Sequence, residues 1–157
     1  MFSSFAQRIY SLLSGLWVGT LLTVGFLVVP TLFSSLGDRQ VAGMVAANLF
    51  KSTAYISVLI SIVLMVLTNY FVHLGKSQYQ LDRWLLLGML ACAIGAAFII
   101  IPWMNSLRDQ ALYLGLPVRE STHASLFNRL HGASSAIYIL QSILGIALVW
   151  RTTKNAD

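Results

Sequence analysis

Asn128, His131, Ser134, Ser135, Tyr138 and Ser142 put an amide, an imidazole, hydroxyls and a phenol into a run otherwise made of apolar residues. Such groups can hold a polar ligand, hand protons along a row or, through the imidazole, bind a metal. At 100° per residue all six fall within about 60° of the His131 direction, and Arg129 falls nearly opposite. Polar groups at membrane depth are expensive and tend to mark a functional site, so this stripe is the first place to look for chemistry. The alternative role for His131 is structural: a neutral ring, satisfied by Asn105 or a backbone carbonyl, that joins the last two helices.

Other chemistries fit the residue inventory less well. A bis-histidine haem needs two imidazoles facing one iron. His73 and His131 fall at opposite ends of their spans, and His123 lies about 12 Å from His131 if both are helical. Haem with a non-histidine second ligand, or copper held by His131 with Met104 or Met44, is the cofactor alternative, since imidazole and thioether suit Cu(I). No Met-x-x-Met or His-x-His spacing supports copper, and no convergent ligand set supports zinc. The chain has no G-x-S-x-G elbow and no paired carboxylates within its apolar runs, which argues against an enzyme. The single cysteine, Cys92, cannot form an intrachain disulfide and reads as a small packing residue.

The elements that position the stripe follow from composition. The 157 residues are 57% hydrophobic and 10% charged, with a mean hydropathy of +0.77. Soluble domains carry roughly 25% charged residues, so a bilayer must solvate most of this surface. The net charge of +5 does not indicate nucleic acid, because Lys and Arg flank apolar runs and form no patch.

The expected fold is an all-α membrane protein, one domain over residues 1–157, with spans at about 9–33, 52–73, 84–104 and 126–150. The first is too long for a signal peptide's apolar core. Gly15 and Gly19 form a G-x-x-x-G pair suited to close helix approach. Pro30 and Pro102 are expected to kink or end their helices. Asp38 is a natural N-cap for a short amphipathic helix between spans one and two, with Val41, Met44, Val45, Leu49 and Phe50 on its apolar side. Thr53, Ser57, Ser61 and Thr68 line one side of the second span as packing and hydrogen-bonding residues. Gly88, Ala91, Cys92, Gly95 and Ala96 give the third a small-residue side. Residues 74–83 read as a turn and residues 105–124 as the longest loop.

Four spans bring both termini to one side and gather Lys51, Asn105, Arg108, Asn128 and His131 at the other, with Ser135 and Tyr138 deeper. These seven are the candidate ligand-binding residues. Lys and Arg are tied five to five between the two sides. Discounting those in mixed-charge stretches favours cytoplasmic termini.

Several short motifs resemble the transmembrane-protein-205-like family of four-helix membrane proteins. They are Pro30 with Phe33, Ala42-Gly43 with Phe50, Ile101-Pro102 with Asn105, and Phe127-x-x-Leu130-His131-Gly132 followed by Ser134 and Ser135. Trp17-Val18-Gly19 carries a more distant likeness to copper-resistance-D-type proteins and haem-binding membrane protoporphyrinogen oxidases. Those groups often place a histidine at the start of helix 1, where this chain has Tyr10 nearby. The resemblance implies an integral membrane protein, in the bacterial inner membrane, of undefined biochemistry; eukaryotic relatives are associated with platinum-drug resistance. The resulting expectation is a non-enzymatic accessory or stress-related module without a cofactor. Its mouth around His131 binds a small ligand, a lipid headgroup, a membrane protein partner or a second copy. The alternatives are a haem- or copper-handling redox protein and a small oligomeric transporter.

Overall fold

The computed structural model describes residues 2–154. Among these, four helices are long and apolar enough to cross a membrane: α1 (Phe5–Ser35), α2 (Arg39–His73), α3 (Ser77–Tyr113) and α4 (Ala124–Thr153). They run alternately up and down, so α1 and α3 are parallel and both termini lie at one end. No strand occurs among the described residues.

The bundle leaves many large apolar side chains outside and takes small polar ones in. Leu12, Leu16, Leu59, Val66, Ile143 and Trp150 are exposed, whereas Ser14, Thr53, Ser57, Ser61, Thr68, Gln141, Ser142 and Thr152 are buried. Lipid tails are as apolar as leucine, so burying leucine gains little there; small residues and interhelical hydrogen bonds hold such helices together. The second span's Ser/Thr row faces inward as expected. Ser57 accepts a 2.9 Å hydrogen bond from Trp17 Nε1, while Thr53 and Thr68 bond carbonyls of their own helix. An apolar core around Trp17, Val18, Leu21, Leu64, Leu86, Met89 and Leu148 packs beside this row.

The amphipathic stretch after Asp38 is the first part of α2, with no break before the span. Asp38 Oδ1 caps it, accepting from Gln40 N at 2.7 Å and Val41 N at 3.3 Å. Its inner face is Ala42 and Ala46, and Val41, Met44 and Val45 point outward. Helical continuity rules out a segment folded back over the mouth.

Neither proline ends its helix. A π turn precedes each: Val24–Val28 before Pro30 and Gly95–Ile100 before Pro102. Val29 N–H reaches Val24 O and Ile101 N–H reaches Ala96 O, each bond spanning one residue more than in an α-helix. The wider turn eases the clash between each proline ring and the carbonyl four residues back. The third span is therefore not closed at Met104. It runs on to Tyr113, where Gly115 (φ +69°) lets Leu116 N–H cap Ala111 O. Asn105 and Arg108, expected in a loop, lie on a helix.

One further expectation is corrected. A Cβ at Gly15 or Gly19 would meet nothing within 4 Å among the described residues, so no other helix packs tightly on the G-x-x-x-G pair there. The close approach is at Gly145, where a Cβ would lie 2.9 Å from Val18 Cγ2 and 3.1 Å from Met89 Cε.

Candidate functional site

The seven candidate residues fall into three groups. Asn105 and Arg108 are one turn apart on α3, and Arg108 Nη1 donates to Asn105 Oδ1 at 2.9 Å. The guanidinium lies over the Phe127 ring, 5.8 Å from its centroid, and the His131 ring stacks on the same phenyl at 6.4 Å, with 4° between planes. Phe127 thus joins Asn105 and Arg108 of α3 to His131 of α4. The i, i+4 spacing of Phe127 and His131 stacks the two rings on one helix face. Asn128 is exposed beside them.

Lys51 is exposed on α2, with no side-chain bond to this group among the described residues. Ser135 is exposed, and its hydroxyl donates to His131 O at 2.9 Å, a bond within the helix. Tyr138 belongs to the interior. Its hydroxyl donates to Leu21 O at 2.6 Å and its ring packs edge-on to Phe50 at 5.0 Å. A Cβ at Gly25 would overlap that ring, so glycine there admits the phenol to the backbone of α1 just where the π turn begins.

His131 is therefore not in an enclosed pocket. The inward face of α4 runs through Phe127, Ser134, Tyr138, Gln141, Gly145 and Leu148. Centred on that row, His131 lies roughly 60° to one side and Ser135 and Asn128 farther round, which turns all three outward. Asn105 gives its oxygen to Arg108, and no bond joins it to His131 among the described residues. Arg129 is exposed as expected, and neither Asp109 nor Glu120 forms an ion pair with it among the described residues.

Beneath the mouth is an interior cavity that leaves about 20 Å³ free to the centre of a water molecule. Leu21 of α1, Thr53 and Ser57 of α2, Ala96 of α3, and Tyr138 and Gln141 of α4 contribute to its lining. Gln141 is 4% exposed, and its Nε2 has no hydrogen-bond partner among the described residues. Sequence reasoning left Gln141 out. Its signal was present, an amide between Leu140 and Ser142 on the same side of the helix as Ser134 and Tyr138.

The second residue missed is Asp82, expected in the turn before the third span. The helix begins earlier, and the Asp82 side chain is fully buried at the end that carries the termini. Arg151 Nε reaches its Oδ1 at 2.6 Å, and Arg151 Nη2 reaches Gln78 O at 2.8 Å. Tyr10 packs edge-on to Phe71 and Tyr79, and Gln7 Nε2 donates to Tyr79 Oη at 2.9 Å. This cluster ties all four helices together at that end.

No group of three His, Cys, Asp or Glu side chains converges among the described residues. His73 ends α2, far from His131, and the ring next to His131 is Phe127.

A family model described as a domain of unknown function, DUF4149, matches residues 12–112. That stretch covers most of α1, all of α2 and nearly all of α3. No curated protein and no solved structure matches the chain.

Proposed function

We propose that this chain, which belongs to the DUF4149 family, is an integral membrane protein whose role is binding rather than catalysis. In this reading it is an accessory module whose polar mouth holds an anionic group, most simply the headgroup of a lipid with net negative charge. The observation that carries this is the stack of Arg108, Phe127 and His131, with Asn105 orienting the guanidinium. It places a permanent cation and an imidazole donor against the same Phe127 ring at a helix end, the level at which headgroups would lie. Asn128 and Lys51 are further donors at the same end. The stress-related part rests on the resemblance to the transmembrane-protein-205-like family alone. Placement in a bacterial inner membrane with cytoplasmic termini belongs to the same proposal, and reporter fusions at each terminus test it.

The binding test is native mass spectrometry of the purified protein with phosphatidylglycerol and phosphatidylcholine. Preferential retention of phosphatidylglycerol is expected, reduced several-fold by Arg108→Ala and by His131→Ala and unchanged by Arg129→Ala. Equal retention of both lipids, or equal loss in all three variants, overturns the headgroup reading.

A further inference from the structure

We infer that the interior cavity is a binding site for one ordered water molecule, held by Gln141 at the level where all four helices meet. A buried amide N–H without an acceptor costs about 1–3 kcal/mol, so its presence in a packed bundle points to an acceptor that the protein itself does not supply. A water needs roughly 10–15 Å³ of such space and two to four polar partners. The cavity offers about 20 Å³.

The partners are present on its walls. Gln141 Nε2 is a free donor. Ser57 Oγ already accepts from Trp17 Nε1, which leaves its own hydrogen to give. Thr53 Oγ1 and Tyr138 Oη spend their hydrogens on Leu49 O and Leu21 O, which leaves their lone pairs to accept. A water can thus take hydrogens from Gln141 and Ser57 and return them to Tyr138 and Thr53, with every group acting in its available sense. No charged side chain lines the cavity, so an ion there would lie unpaired in a low-dielectric interior. Leu21 precedes the π turn of α1 and Ala96 lies within that of α3.

The test is an experimental structure of the full-length protein in lipid nanodiscs, at a resolution that shows buried waters, from samples with and without rubidium bromide. One peak is expected within about 3.2 Å of Gln141 Nε2, unchanged by the salt. It should vanish in Gln141→Leu and weaken in Ser57→Ala. If Gln141→Leu fails to fold, the native map and Ser57→Ala decide the matter. An empty cavity in a map that shows other buried waters overturns the inference. So does a Gln141 amide bonded to a protein carbonyl, or a peak with the signal of rubidium or bromide.

Discussion

Arg151 Nε donates to Asp82 Oδ1 at 2.6 Å across 69 residues of sequence, which fastens the last turns of α4 to the start of α3. The carboxylate is fully buried, and the Arg151 side chain is 30% exposed. Removing the arginine leaves a charge that the interior does not solvate. Arg151→Met should destabilise the protein by about 2–4 kcal/mol, below the range for a fully buried pair because water reaches the guanidinium. The double variant Asp82→Leu with Arg151→Met should recover most of that loss. Equilibrium unfolding in detergent measures both, and equal instability of the two would show that the charge itself is not what matters.

Tyr138 and Gly25 are a second coupled pair. Tyr138→Phe should cost about 1–3 kcal/mol, because Leu21 O loses its donor. Gly25→Ala should be destabilising in the native protein, where the new methyl overlaps the phenol ring, and close to neutral beside Tyr138→Ala. A double-mutant cycle reads the coupling, and additive effects would mean that the ring and glycine do not meet.

Ser57 and Trp17 predict an asymmetry. Ser57→Ala leaves a buried indole N–H without its acceptor and should cost about 1–3 kcal/mol. Ser52→Ala, at an exposed position one turn away, should stay within about 0.5 kcal/mol. Thermal unfolding of the two variants side by side settles the comparison.

At Gly145 side chains of α1 and α3 pack directly against the backbone of α4. Gly145→Val drives a side chain against Val18 and Met89 and should cost about 1–3 kcal/mol. Met89→Ala in the same chain should relieve part of it. Gly15→Val and Gly19→Val, on a face open to lipid in this chain, should leave unfolding of the monomer little changed.

The candidate site was only partly legible before folding. The inward position of Tyr138, Ser134 and Ser142 could be read because hydroxyls inside an apolar helix seek protein partners. The position of His131 could not. At the mouth the helix end meets water and headgroups, so a polar residue there has no need to face inward. Arg108 was assigned to a loop because Pro102 looks like a stop, and the π turn that lets α3 continue leaves no clear mark in residue types. Asp82 looked like a turn residue because its partner, Arg151, stands near the other end of the chain.

By itself the sequence determined the four helices long and apolar enough to cross a membrane, the Asp38 cap and the inward Ser/Thr row of α2. These depend on local composition and on the cost of placing polar groups in hydrocarbon. The tertiary structure decided which side of each helix faces its neighbours, because lipid and protein interior are equally apolar and hydropathy cannot tell them apart. It therefore also decided that Arg108, Phe127 and His131 form one stack, that Asp82 meets Arg151, and that Gln141 closes on a space the size of a water molecule.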